Sequence, residues 1–271
     1  MELEIAVLSR QGGRAVNEDA CGWWSSDAVS FCVVSDGAGG HRGGEVASKL
    51  IVKEMLGWFR ERPEGDAKSL EAALRYANEA LIREQRSNPD VGDMRATAVV
   101  LAIDSARESA SWGHLGDSRL YCFRGTEIIV QTRDHSLVQT MVDAGMMQPD
   151  SLRHSPERSK LLNAMGDEST FQPRMQSDPF PVLNGDKYLL CTDGLWERVE
   201  EKEIEGALVD CPTAEEWLRL LEQYVLARAN SRQDNYSAMA VWCKEPDATT
   251  LDASALDSQR PVGSRSPRDD R

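Results

Sequence analysis

Residues 98–131, AVVLAIDSARESASWGHLGDSRLYCFRGTEIIVQ, set apolar, β-rich runs one after another with only short polar breaks between them. Breaks this short cannot hold a helical crossover, so neighbouring strands must run antiparallel as hairpins. The same kind of run recurs outward in both directions, at LEIAVLS (3–9), VSFCVVS (29–35), KYLLCT (187–192) and YSAMAVWC (236–243), each bounded by Gly, Asp, Asn or Ser. Two long amphipathic helices interrupt early. Residues 44–60 carry Val46, Leu50, Ile51, Met55 and Trp58 on one face, and residues 69–86 carry Leu70, Ala73, Leu74, Ala77 and Leu81. A third spans about 213–229, opened by Thr213 and Glu216 as a capping box after Pro212, with Trp217, Leu220, Leu221, Tyr224 and Val225 as its stripe. Antiparallel strands with helices grouped, not alternating, predict an α+β sandwich.

Composition narrows the function. The 271 residues carry a formal net charge of −14, which repels phosphate backbones and anionic lipid and argues against nucleic-acid and membrane partners. No run is apolar for the ~18 residues that a bilayer span needs, and MELEIAVLSRQGG lacks the marks of an export signal, so a cytoplasmic protein is expected. The six cysteines (Cys21, Cys32, Cys122, Cys191, Cys211, Cys243) form no C-x-x-C pair and read as reduced core residues. Residues 244–271 hold only Leu251, Leu256 and Val262 as large apolar side chains, so they are expected to form a disordered tail on a folded domain of residues 1–243.

The chemistry-bearing pattern is acidic residues at strand ends. Asp36 ends FCVVS, Asp193 ends YLLCT, Asp234 and Asn235 precede YSAMAVWC, and Glu18 and Asp19 follow the first strand. Each Asp-Gly pair alone also fits a turn. Their recurrence in a chain with four histidines and no Cys/His spacing points to hard cations with oxygen ligands, magnesium or manganese. The glycines of DGAGGHRGG (36–44) do not make a phosphate cradle. Gly39 to Gly44 lacks the Lys-Ser/Thr of a P-loop, being followed by Glu45 and Val46, and Arg42 replaces the third glycine of a dinucleotide fingerprint.

In order along the chain, RAVNEDA (14–20), VVSDGAGGHRGGEVAS (33–48), GHLGDSRLY (113–121), TRDHSLVQTMVDAG (132–145), LLCTDGLWERV (189–199) and RQDNYSAMAV (232–241) resemble the metal-dependent PPM, or type 2C, Ser/Thr protein phosphatases, in their compact bacterial branch. The resemblance implies a four-layer α-β-β-α sandwich around two antiparallel sheets. It implies hydrolysis of phosphoserine and phosphothreonine in proteins by a water or hydroxide bridging two Mn2+ or Mg2+ ions, with a third, weaker ion beside them. Asp36 would bridge the ions, the Gly37 carbonyl would add a ligand, and Asp193 and Asp234 would complete the set. Glu18 and Asp19 would act through bound waters, Asp117 would serve the third ion, and Arg14 would hold the substrate phosphate. An arginine ahead of an acidic pair also fits a surface ion pair, and Asp117 also fits a hairpin turn. DHSLVQTMVDAG reads as a helix entered at Asp134 or Ser136 with Leu137, Met141 and Val142 inward, leading into MMQPDSLRHSPERS, which matches the family's flap beside the active site.

The implied partners are phosphorylated proteins and a cognate Ser/Thr kinase, in a type VI secretion pathway among other settings, with the chain a monomer. Three positions depart from the family pattern: Ala38 stands where some members carry a histidine able to protonate the leaving alcohol, Glu197 stands for a more usual Asp, and Thr97 is alone where Gly-Thr-Thr is usual. His41, three residues past Ala38, is usual in the bacterial branch. A cysteine-dependent phosphatase is excluded because Glu197 sits where the arginine of His-Cys-x5-Arg would be counted from Cys191, and a serine hydrolase because no histidine follows His154. The remaining alternative is a catalytically silent regulator that keeps the fold as a binding module.

Overall fold

Strands β1 (Glu2–Arg10), β2 (Asp19–Ser25) and β3 (Val29–Ala38) lead into helices α1 (Gly43–Glu61) and α2 (Ala67–Ser87). Strands β4 (Arg95–Ala96), β5 (Ala98–Asp104), β6 (Ser109–Leu115), β7 (Arg119–Arg124) and β8 (Glu127–Gln131) follow, then α3 (Leu137–Asp143). After a 3-10 turn at Pro149–His154 come β9 (Arg174–Met175), β10 (Phe180–Pro181), β11 (Lys187–Cys191), α4 (Asp193–Trp196), α5 (Glu201–Asp210), α6 (Ala214–Arg228) and β12 (Tyr236–Lys244). This computed structural model describes residues 1–39 and 43–245; His41 and all but the first two residues of the expected tail lie outside them.

Every strand pairing is antiparallel. One sheet runs β1-β12-β11-β7-β8; the other runs β10-β6-β5-β3-β2, with β4 added to β3 and β9 to β6. The hairpin ladder read from residues 98–131 is present, but it turns from one sheet into the other between β6 and β7. That switch makes a sandwich.

Alternation along the central strands sorts side chains into three cores. Val29, Phe31 and Val33 of β3 and Val100 of β5 pack under α1 and α2, while Cys32, Val34, Val99 and Leu101 face the second sheet and meet Leu120, Tyr188, Leu190, Met239 and Val241. On the far side Tyr121, Phe123, Leu189 and Trp242 pack against Trp217 and Leu221 of α6. Helix, sheet, sheet, helix is the four-layer order expected. Strands covered on both faces read as continuous apolar runs, which is why the sequence shows no polar alternation in them.

Differences from the sequence reading are local. On α1 the buried face carries Ala47, Ile51, Val52, Met55 and Phe59, whereas Val46, Leu50 and Trp58 are only half-buried at its margin. Phe59 stacks on Phe31 at 3.9 Å, so the helix is rotated by about one residue from the expected face. In α3 the fully buried residue is Val138, with Leu137, Met141 and Val142 half-buried, and the helix starts from Ser136, whose Oγ accepts from Gln139 N–H at 3.1 Å. Thr213 caps α6, accepting from Glu216 N–H at 3.2 Å, which is one half of the expected capping box.

Candidate active site

Antiparallel pairing brings one end of several strands together. Asp19 opens β2 directly opposite Asp36 near the end of β3; Asp193 follows the end of β11; Asp234 precedes β12; Asp117 sits in the turn from β6 to β7. Like charges facing each other across a ladder are unfavourable, so the register itself places strain here. Asp36-Gly37 lies within β3 and Asp193-Gly194 opens α4, which removes the simple turn reading for both. Asp117 does occupy a turn, yet its side chain is buried.

Hydrogen bonds fix these positions. Thr192 Oγ1 donates to Asp19 Oδ2 (2.9 Å) and accepts from Ser237 N–H (3.0 Å), tying the two sheets together beneath the cluster. Asp36 N–H donates to Thr97 Oγ1 (3.0 Å), which is 2.6 Å from Ser118 Oγ beside Asp117. Trp196 Nε1 donates to the Asp117 carbonyl at 2.9 Å. The loop bearing Arg14 and Glu18 is stapled by Asn235, whose Nδ2 donates to the Gln11 and Val16 carbonyls (2.7 and 3.0 Å) and whose Oδ1 accepts from Glu18 N–H (2.8 Å). Gly37 is required by space: a Cβ there would lie 2.0 Å from the Gly44 carbonyl oxygen. The backbone of β3 and the start of α1 are thus in contact.

Electrostatics agree with geometry. Burial, then Asp193, Asp19, Asp117 and Asp234, push the Asp36 carboxyl well above the ordinary range; burial, then Asp117 and Glu197, do the same to Asp193. Burial raises Asp117 to about 7, with Asp134 adding to it, and Asp19 to about 6. Glu18 is raised as well, chiefly by burial. Mutual repulsion of this kind is relieved by a cation. Asp19 Oδ1 is buried with no hydrogen-bond partner, and the donor set is all oxygen, so the residues fit a hard divalent ion. Among the described residues no three acidic, imidazole or thiol groups already stand as a closed metal-binding set.

One cation is in place. Arg14 Nη2 pairs with Asp234 Oδ2 at 2.5 Å, which raises the arginine's pKa further, and its side chain is 54% exposed and so open to a ligand. The surface ion pair and the place beside the cluster both hold for it. The sequence reading gave no role to Thr192, although a threonine between a buried strand and Asp-Gly was a visible signal. It also gave none to Arg158 in the flap stretch, whose Nε donates to Glu197 Oε1. That bond raises the Arg158 pKa, and Asp193 and Asp234 add to it.

The sequence profile described as Protein phosphatase 2C matches residues 9–236. The Serine/threonine protein phosphatase PstP of Mycobacterium tuberculosis is 34% identical over 239 residues, covering 88% of this chain and 44% of PstP. The chain therefore spans less than half the length of that relative. The crystal structure of the PstP catalytic domain in complex with two manganese ions superposes with a TM-score of 0.74 and 31% identity, over 90% of this chain and 99% of that one. PppA, described as a key regulatory component of T6SS in Pseudomonas aeruginosa, superposes with a TM-score of 0.73 and 30% identity, over 89% and 98%.

Proposed function

The chain belongs to the protein phosphatase 2C family, and from that premise we propose that it hydrolyses phosphoserine and phosphothreonine in proteins with two divalent metal ions, Mn2+ or Mg2+. The observation that carries this reading is the convergence of Asp19, Asp36, Asp117 and Asp193 from both sheets onto one point, where Asp19 and Asp117 raise the pKa of both Asp36 and Asp193 and Asp19 Oδ1 stays buried without a partner. Asp36, Asp193, Asp234 and the Gly37 carbonyl would hold the ions, Glu18 and Asp19 would act through bound waters, and Asp117 would serve a third. When bound, such ions supply Lewis acidity toward the phosphate oxygens and acidify water.

The chain's own residues do the rest. Arg14 presents a fixed-charge, bidentate donor for the phosphate, and binding there draws it from Asp234. Thr192 and Thr97 hold Asp19 and Asp36 against their mutual repulsion. Ala38 offers no proton to the leaving alcohol.

The silent-regulator reading is not favoured, because every candidate carboxylate is present. We extend the proposal to a cytoplasmic monomer that opposes a Ser/Thr kinase, and the likeness to PppA supports a type VI secretion setting. Hydrolysis of p-nitrophenyl phosphate with Mn2+, with EDTA and by Asp36→Asn tests the core of it. Activity with Mn2+ alone is expected, with a loss of about a thousandfold or more in the other two arms; equal rates in all three contradict it.

A further inference from the structure

Residues 135–137 hold two parts of the molecule at once. His135 N–H donates to the Gly116 carbonyl (2.9 Å) and Gly116 N–H donates back to His135 Nδ1 (3.3 Å), one residue before Asp117. On its other side Leu162 N–H donates to the His135 carbonyl (2.8 Å), Leu137 N–H donates to the Lys160 carbonyl (2.9 Å), and Ser136 and Leu161 form an antiparallel bridge. The returning stem of the flap is thus bonded to the residue that holds the Asp117 turn.

That turn has little slack. Gly116 has φ +97°, and a Cβ on it would stand 2.6 Å from Thr97 Cγ2. The His135 ring stacks on His114 at 4.7 Å and 19°, and His114 Nε2 lies 2.8 Å from the Arg133 carbonyl. Nδ1 of His135 must be unprotonated to accept from Gly116. Burial, with His114 and Arg174 adding to it, lowers the ring's pKa to about 3, so it is neutral at physiological pH.

We propose that His135 is a positioning residue that couples the seating of the flap to the placement of the Asp117 carboxylate, and thereby to the affinity for a divalent cation there. The role of Asp117 as a ligand rests on the phosphatase reading; the mechanical coupling does not. Coupling through one such element is of the order that changes an affinity about threefold to tenfold.

The test compares His135→Phe, which keeps a ring for the stack but loses Nδ1, with His135→Asn, whose Oδ1 restores an acceptor. Trypsin cleavage at Arg153, Arg158 and Lys160 is followed in EDTA, and the Mn2+ dependence of p-nitrophenyl phosphate hydrolysis is followed separately. His135→Phe is expected to be cleaved about threefold to tenfold faster and to need about threefold to tenfold more Mn2+ for half-maximal rate, with KM little changed and both effects recovered in His135→Asn. Wild-type behaviour of His135→Phe, or equal impairment of both variants, overturns the proposal. A wild-type protein that hydrolyses nothing would refute the phosphatase reading and leave the trypsin comparison standing. If His135→Phe fails to fold, hydrogen exchange of the wild-type Gly116 and Leu162 amides decides: exchange through one shared opening supports coupling, and independent openings refute it.

Discussion

A buried carboxylate is expensive, and this chain gathers several. The folded state binds protons on Asp19 and Asp117 more tightly than the unfolded chain does, because their pKa values rise from 3.8 to about 6 and about 7. Stability from that source is complete below about pH 4 and is lost as pH rises through both folded values. His135 works in the opposite sense, since its pKa falls from 6.5 to about 3: its contribution is complete above about pH 6.5 and lost below. Between pH 6 and 8 the carboxylates dominate. The melting temperature in EDTA should therefore fall across that window, and Mn2+ should restore more at pH 8 than at pH 6; a flat or rising EDTA profile contradicts this. Arg119 tests the opposite case of a satisfied charge. It donates to both oxygens of Asp134 at 2.9 Å and lies 3.6 Å over Trp196. Arg119→Met leaves Asp134 buried and unpaired and should cost about 3–5 kcal/mol in urea unfolding.

Helices and strands were legible where their packing is one-sided or fully buried. The long strands and α1, α2 and α6 announce themselves by period and by apolar runs. The edge strand β2, DACGWWS, did not, because its outer face is exposed (Trp23 is 52% exposed) and Gly22 interrupts it. Helix α5 has Gly206 in its middle and buries only Ile204, Ala207 and Leu208. The face of α1 was misjudged by a residue because Trp58 outweighs Phe59 in hydrophobic bulk, although it is Phe59 that fits against Phe31. Two glycines near and within α1 separate close contact from mere tolerance. Gly37→Ala forces a Cβ into the Gly44 carbonyl and should cost about 3 kcal/mol, whereas Gly57→Ala, with nothing within 4 Å, should gain about 0.5–1 kcal/mol. Thermal melting of both variants checks the contrast.

For the molecule as a whole, two sheets that bring the strand ends bearing Asp19, Asp36, Asp117, Asp193 and Asp234 to one side explain how residues from Arg14 to Asp234 meet. The acidic positions could be read from the sequence because they interrupt apolar runs. What their supports do could not, since Thr192, Asn235 and His135 act through hydrogen bonds to partners far away in the chain, which only the folded arrangement brings within reach. Phosphate release from a phosphothreonine peptide, measured with Mn2+ for the wild-type chain and for Asp36→Asn beside a phosphotyrosine peptide of the same sequence, tests the central claim most directly. Release from phosphothreonine by the wild type only, abolished by EDTA, is the predicted result; release that survives EDTA or Asp36→Asn, or none from the phosphothreonine peptide, contradicts it.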